Sequence, residues 1–389
     1  MEHPSESNLD PQNVPKELLP LRAKIDEIDH QILNLLVQRN DVVTEVAAIK
    51  RTTGFGIRDF NRERELLQDR TERAKQSGLR AEVIESLFRV ILWASRDRQA
   101  ALGAEMPKET VSKKVAIIGG NGGMGQVMAR LFSEAGNEII IADLDNSTDN
   151  TEAAAQADVI IIAVPIENTI DVINEVGPHC KAGSLLMDVT STKSEPVRAM
   201  CDASNDTSVI GTHPLFGPSV HSLQGQRIAI VRSRDEHNWD EWLTTILHGR
   251  GFSILHTTAK EHDEAMGVVQ VLTHQATEVL GRTVQKLGVD ITTTLEFTSP
   301  IYLIDLLMAA RHFAQSSELY ASIQMHNPET ERVLDALRDA GEELRDIVLE
   351  QDRDRFSKLF AEVHNHFGDF SEQALEQSSF LIDRLVERC

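Results

Sequence analysis

VAIIGGNGGMGQVMARLFSEAGNEIIIADLD, residues 115–145, decides how the centre of this chain folds. An apolar run leads into a glycine loop, an amphipathic stretch follows, and a second apolar run ends at Asp143. The periodicity predicts strand, loop, helix, strand. Gly120, Gly122 and Gly125 stand in the spacing G-x-G-x-x-G, a pattern that is weak alone and strong in this setting. Glycines let the backbone approach a pyrophosphate, whose charge sits at the N-terminus of the next helix. Asp143, eighteen residues after Gly125, closes the second strand. A carboxylate there accepts hydrogen bonds from an adenosine ribose and repels a 2′-phosphate, which favours NAD over NADP. Asp145 competes for that role, because a strand end read from sequence is loose by a residue or two.

Five further apolar runs follow: ADVIIIAVP (157–165), GSLLMDVTS (183–191), TSVIGTHP (207–214), QRIAIVRS (226–233) and FSILHT (252–257). They predict an open, parallel α/β sheet, in which ligands gather at the C-terminal strand ends. Two of those ends are polar. DVTSTK offers Asp188, Ser191 and Lys193, and GTHPLFGP sets His213 between a strand and a Pro-rich turn. A lone histidine is more often structural than catalytic, but a strand end followed by Pro214 favours chemistry. Lys193 reads either as an anion holder or as an exposed lysine.

From about residue 259 the pattern changes to long amphipathic helices, as in a dimerising substrate domain behind a nucleotide fold. Arg311 ends the apolar stretch LLMAAR, where a charge calls for an anionic partner. His262 and His274, twelve residues apart, fall on roughly similar faces of one helix and are site or structural residues.

Upstream of the sheet there is no strand pattern. Leu21, Ile28, Leu35, Val42 and Ile49 keep one heptad position and Ile25, Ile32 and Val46 the other, so a single long helix with a packing seam is expected. Two shorter helices follow, at about 60–76 and 80–101. Arg39 interrupts the second row. A guanidinium on an apolar seam is a register device, half of a buried ion pair, or an anion ligand. Lys50 is about three turns away on the same face, roughly 16 Å, so the two could grip both ends of a small dianion. Arg22, roughly 25 Å from Arg39, could join only from a second copy packed antiparallel. A homodimer with composite sites is the simple inference.

These residues resemble the all-helical chorismate mutases of the bacterial type, from about Leu18 to Gln99. LRAKIDEID carries Arg22, LLVQRN Arg39, VAAIK Lys50, IRDFNRERE Asp59, Arg62 and Glu63, and the last helix Ser95 and Gln99. The resemblance implies rearrangement of chorismate to prephenate. Arg22 of a second chain and Arg39 would hold carboxylates, Lys50 and Gln99 address the ether oxygen, and Glu63 and Asp59 take the hydroxyl end. Arg62 and Ser95 would complete the pocket. The later part resembles the prephenate dehydrogenases: His213, Pro214 and Gly217 match H-P-x-x-G, and AVPIE and DVTSTK match the neighbouring strand ends. Together they look like a bifunctional chorismate mutase/prephenate dehydrogenase. The resemblance implies NAD held by Gly120, Asn121, Gly122, Gly123, Met124, Gly125, Asp143, Val164 and Pro165. It gives His213 the role of base, with Ser191 as its hydrogen-bonding partner. Arg311, Lys193, His262 and His274 would contact substrate. Leu303 departs from a second family arginine, Ser219 stands where relatives often carry an acid, and His221 has no assigned role.

Composition sets bounds. With 389 residues the chain is long enough for two or three cores. The expected division is a disordered lead-in (1–15), an all-α three-helix module (16–103), a polar linker (104–113), a Rossmann-like α/β domain (114–258) and an all-α dimerisation and substrate domain (259–389). A net charge of −22 argues against nucleic acid. Residues 1–103 carry 16 Lys+Arg and 17 Asp+Glu, so the excess of acid lies beyond them. No apolar run is long enough for a bilayer, and the lead-in lacks a secretory core. Cys180, Cys201 and Cys389 have no metal spacing, so no metal is expected, and free thiols fit a reducing cytoplasm. No stretch after the helices reads as a βαββαβ regulatory domain, so feedback by tyrosine would act at or near the dehydrogenase site. Three alternatives stay open: a helical module that only dimerises, arogenate in place of prephenate, and a non-catalytic NAD-binding regulator.

Overall fold

The computed structural model describes residues 15–53, 55–102, 111–145, 148–220 and 222–386. The lead-in up to residue 14, most of the linker, His221 and Cys389 lie outside the described residues.

Three helices form the N-terminal module: α1 (Leu18–Thr53), α2 (Phe60–Gln76) and α3 (Ala81–Ala101). At 36 residues α1 is roughly 54 Å long and overhangs its shorter partners. Its buried residues are Val43 and Ala47, on the half that packs with Ile57 and Ala100. The heptad rows are not covered. Leu21, Ile28, Leu35, Val42 and Ile49 all face outward in the single chain. The seam expected from the sequence is therefore a surface of α1, separate from the face that holds the module together.

The centre is a seven-stranded sheet in the order β2-β1-β3-β4-β5-β6-β7. Its strands are β1 (Lys114–Ile118), β2 (Glu138–Ala142), β3 (Val159–Ile162), β4 (Leu185–Asp188), β5 (Ser208–Pro214), β6 (Arg227–Arg234) and β7 (Ser253–His256). Period-two alternation divides β1 to β6 between two cores. Val115 and Ile117 pack with Val127, Leu131 and Phe132 of α4 (Gly123–Glu134) and with Leu243 of α8 (Trp239–Gly249). Ala116 and Ile118 pack on the other face, with α5 (Asn150–Gln156), α6 (Ile166–Val176) and α7 (Ser194–Ala203). The first five strands are parallel, as expected, but β6 runs antiparallel to β5. The link between them holds no described helix, and a parallel return needs a crossover element.

Eight helices and one wide turn follow among the described residues: α9 (Ala259–Met266), a π-helical turn (Gly267–Leu272), α10 (Thr273–Leu287), α11 (Ile291–Glu296), α12 (Pro300–Phe313), α13 (Ser317–Met325), α14 (Thr330–Leu349), α15 (Arg353–Phe367) and α16 (Phe370–Val386). The π-turn separates His262 on α9 from His274 on α10, so α-helical phase does not carry from one to the other. Ile301, Met308, Phe360 and Phe367 stand exposed on these helices.

Lys193 corrects the sequence reading. It is fully buried, its ammonium pairs with Asp188 at the end of β4 and donates to Thr212 O of β5 at 2.7 Å. It braces two adjacent strand ends and is neither exposed nor open to a substrate anion. Removing one member of a buried pair strands the other. Lys193→Met is expected to lower unfolding free energy in urea by about 3–5 kcal/mol, with much of the loss recovered by adding Asp188→Leu. A loss below about 1 kcal/mol for the single variant would contradict the pairing.

Candidate active sites

The glycine loop is built by close backbone approach. Gly119, just ahead of the G-x-G-x-x-G frame, has φ +82°, and a Cβ there would meet Ala163 O at 2.8 Å and Val164 Cγ1 at 2.9 Å. Sequence reading passed over it, although the doubled glycine was the available signal. A Cβ on Gly125 would overlap Gly119 O and stand 2.7 Å from Gly120 Cα. The loop thus leans on the AVPIE segment, whose Pro165 caps α6. Asn121 and Gly122 are exposed, Met124 is half-buried, and α4 begins at Gly123. Asp143 Oδ2 accepts from Asn121 N at 2.9 Å, tying the end of β2 to the loop. Asp143, and not the exposed Asp145, is the carboxylate placed at this loop. A helix start behind a close-packed glycine loop and a neighbouring carboxylate fit a dinucleotide.

His213, on β5, is 4 % exposed. Its Nδ1 lies 2.9 Å from Nε2 of His262, whose Nδ1 lies 2.9 Å from Asp263 Oδ1. Asp263 also accepts Lys193 N at 2.8 Å and Ser194 N at 2.9 Å, at the start of α7. Burial opposes ionisation of Asp263, yet the hydrogen bonds from His262, Ser194 and Lys193 outweigh it and hold the carboxyl below its ordinary range. An ionised Asp263 makes His262 Nδ1 the donor. With Nδ1 as donor, His262 presents Nε2 as the acceptor, so His213 donates from Nδ1 and keeps a lone pair on Nε2. Burial, His262 and Lys193 together push the His213 pKa well below 6.5, against the pull of Asp263. The ring is a neutral base of defined tautomer.

Other expected residues fall around it unevenly. Ser191 is half-buried in the loop after β4 and makes no side-chain hydrogen bond among the described residues, so it does not bond His213 here. Pro218, beyond the His213 turn, would stand 2.9 Å from a Cβ on Gly123, which brings this turn to the glycine loop. His274 joins a different group, its ring 4.8 Å from Tyr320 and 5.4 Å from His312. Burial, then His312, lowers its pKa. Arg311 is exposed on α12 and forms no ion pair among the described residues.

In the N-terminal module Arg39, half-buried on α1, donates to Ser95 Oγ on α3. Of the three readings of Arg39, the buried ion pair is not what the single chain shows, because its partner is a neutral hydroxyl. Burial lowers its pKa from the ordinary guanidinium value. Gln99, one turn further, donates to Ser95 O at 3.1 Å, and its Oε1 is buried without a partner among the described residues. Glu63 is held by Arg96 and, at 3.4 Å, by Arg58, two arginines that sequence reading missed. Lys50 donates to Gly56 O at 2.8 Å and Ile57 O at 2.6 Å. Asp59 caps α2 through Arg62 N at 3.0 Å. Arg62 and Arg22 are exposed, and Arg22 makes no side-chain bond among the described residues.

Fold and sites together define a nucleotide-dependent dehydrogenase that carries an all-helical module built around an arginine. Family profiles agree along the chain: chorismate mutase type II matches residues 21–100, the nucleotide-binding domain of prephenate dehydrogenase 131–249, and its dimerization domain 258–362. The T-protein of Haemophilus influenzae is 32% identical over 367 residues, 94% of this chain and 97% of that one. A probable arogenate/prephenate dehydrogenase of Methanocaldococcus jannaschii is 37% identical over 272 residues, 65% of this chain and 61% of its own. The crystal structure of prephenate dehydrogenase from A. aeolicus, in complex with hydroxyphenyl propionate and NAD+, shares the fold, with TM-score 0.55, 16% identity and coverage of 67% of this chain and 98% of that one. The chain belongs to the T-protein family, the bifunctional chorismate mutase/prephenate dehydrogenases of tyrosine biosynthesis.

The glycine loop yields a direct test. Gly125→Ala forces its methyl into the loop backbone and is expected to weaken dinucleotide binding at least about tenfold by fluorescence titration, with mutase turnover unchanged. Unaltered dinucleotide affinity would contradict the placement.

Proposed function

We propose that residues 16–103 catalyse the mutase step, that residues 114–258 hold NAD, and that residues 259–389 complete the dehydrogenase site and dimerise. The reading of the dehydrogenase rests on one observation, the buried chain Asp263–His262–His213, which leaves His213 neutral with Nε2 unprotonated.

In the mutase no nucleophile, metal or acid-base pair is required. The site holds the substrate compact and stabilises charge on the ether oxygen as the C–O bond breaks. Arg39 is fixed by Ser95 for one carboxylate, and Gln99 carries an amide oxygen that no described group satisfies. Lys50 and the second amide N–H of Gln99 serve the ether oxygen as donors, and Glu63 with Asp59 serves the hydroxyl end. The exposed Arg22 and the outward heptad of α1 support a homodimer in which a second copy supplies Arg22 to each site. An intact set around Arg39 argues against a module kept only for dimerisation.

In the dehydrogenase, bound NAD supplies the hydride acceptor. Asp143 at the ribose end favours NAD over its 2′-phosphorylated form. His213 Nε2 accepts the ring hydroxyl proton as hydride leaves the same carbon, and loss of carbon dioxide then aromatises the ring. Ser191, with its hydroxyl unused, lies in the neighbouring strand-end loop to bind the substrate hydroxyl, and Arg311 is the cation for a substrate carboxylate. The half-buried Cys180 and Cys201 are free thiols, in keeping with a cytoplasmic enzyme. Among the described residues no helix is long and apolar enough to cross a membrane.

A coupled assay with chorismate and NAD tests both halves. The unaltered protein is expected to form NADH from chorismate alone. His213→Asn should lose about 10²–10⁴ of dehydrogenase kcat while prephenate still accumulates. Retention of dehydrogenase rate within about tenfold would overturn the assignment of His213.

A further inference from the structure

Two adjacent residues of α3 hold opposite charges in the N-terminal module. Ser95 accepts from Arg39 of α1, and Arg96 pairs with Glu63 of α2. Successive helix positions point about 100° apart, so one turn of α3 reaches both neighbouring helices. The pair of Arg96 and Glu63 is sheltered, with each side chain 16% exposed, and it joins residues 33 apart in the chain. Arg96 makes the contact through one nitrogen, Nη1 to Oε1, while Arg58 Nε stands 3.4 Å from Oε2. The Arg58 side chain is 51% exposed and lies over the Phe60 ring at 4.3 Å, so its pull on Glu63 is that of a surface ion pair. Arg96 is the partner that fixes the carboxylate.

The need for such a clamp follows from the other charges of the site. Arg39, Lys50 and the Arg22 of a second copy are cations suited to a substrate dianion. Asp59 is committed to the start of α2, where it accepts from Arg62 N. Glu63 has no such tie to the backbone, and among the described residues its carboxylate meets only the two arginines. A flexible carboxylate left loose in a half-buried, cationic site is drawn to the nearest guanidinium more strongly than in water. Arg39 makes no ion pair among the described residues, its partner being the Ser95 hydroxyl, so its charge stays available for an anion from outside. The charge that compensates Glu63 comes instead from Arg96, on the next residue of α3.

We propose that Arg96 is a positioning residue of the mutase: it clamps Glu63 at the hydroxyl end of the substrate and keeps it off Arg39 and Lys50. The charges of those two cations are thereby left for the substrate. The inference rests on the mutase reading above and on the role given there to Glu63. Arg96 touches no reacting atom and acts through Glu63 alone. With the clamp removed, Glu63 competes with chorismate for the cations, and saturating substrate displaces it, so the loss falls mainly on KM. Without the Glu63 charge Arg96 has nothing to clamp, so its own replacement then costs nothing further.

The test is a double-mutant cycle on mutase kcat/KM in the full-length protein, with Arg96→Met, Glu63→Gln and the two combined. Arg96→Met should lower kcat/KM about 10- to 100-fold, the worth of a charge-assisted contact, with most of the loss in KM. Arg96→Lys should recover it to within about threefold of the unaltered enzyme, because a single nitrogen makes the contact. In the Glu63→Gln background, Arg96→Met should lower kcat/KM by no more than about twofold. Dehydrogenase turnover of added prephenate, unchanged in every variant, reports that the chain is folded. A kcat/KM for Arg96→Met within about twofold of the unaltered enzyme would overturn the proposal. So would an equal loss in the Glu63→Gln background, which would make Arg96 a structural residue or a direct substrate contact. Full kcat/KM in Glu63→Gln alone would instead defeat the role of Glu63 on which the proposal stands. Should Arg96→Met fail to fold, Arg96→Gln takes its place in the cycle and the same outcomes decide.

Discussion

Asp263 is the point on which the dehydrogenase half depends. One carboxylate, 2% exposed on the first helix of the helical domain, accepts the two backbone N–H groups that open α7 of the nucleotide domain. Those amides are donors a helix leaves unsatisfied at its start, and burying them without an acceptor would be costly. Docking of α9 on α7 meets that demand, and the same docking sets His262 beside His213. The contact between His262 and His213 is thus a consequence of how two domains close on each other. Lys193 contributes to the same junction in two ways, with its N–H on Asp263 and its ammonium on Asp188 beneath the strand ends.

The two halves of the molecule also touch through the segment that follows His213. Ser222 donates to Asp97 on α3, and Arg250 donates to Ala100 O at 3.2 Å while pairing with Glu134. Asp97 and Ala100 flank Gln99 of the mutase site. The helix that carries Ser95 and Gln99 therefore rests on the turn that leads away from His213. At the opposite extreme, the heptad of α1 and the apolar residues of α12 and α15 remain uncovered in the single chain. On all three helices, neighbours among the described residues leave these apolar side chains open.

Periodicity carried much of this into view. The glycine loop, the strands and the three N-terminal helices rest on local patterns, and those residues lie where local patterns put them. The misses have a common cause, since each depends on what a residue meets across the fold. Lys193 looks like any polar loop lysine until Asp188 and Thr212 O close over it. The reversal of β6 follows from a connection without a helix, and the π-turn between His262 and His274 has no spacing signal. Arg58 and Arg96 gain meaning only through Glu63. His262 was singled out on a motif, but its position between His213 and Asp263 is a tertiary fact.

The pH dependence of kcat/KM for prephenate oxidation tests the account most directly. A base held neutral by burial and by its neighbours keeps its lone pair as acid is added, so the acidic limb is displaced downward. The account predicts that activity stays on its plateau through the ordinary histidine value of 6.5 and falls only well below it. It also predicts that Asp263→Asn moves that limb further downward, since the Asp263 carboxylate is the one neighbour that pulls the His213 pKa up. A limb at or above 6.5 in the unaltered enzyme, unmoved by Asp263→Asn, would contradict it.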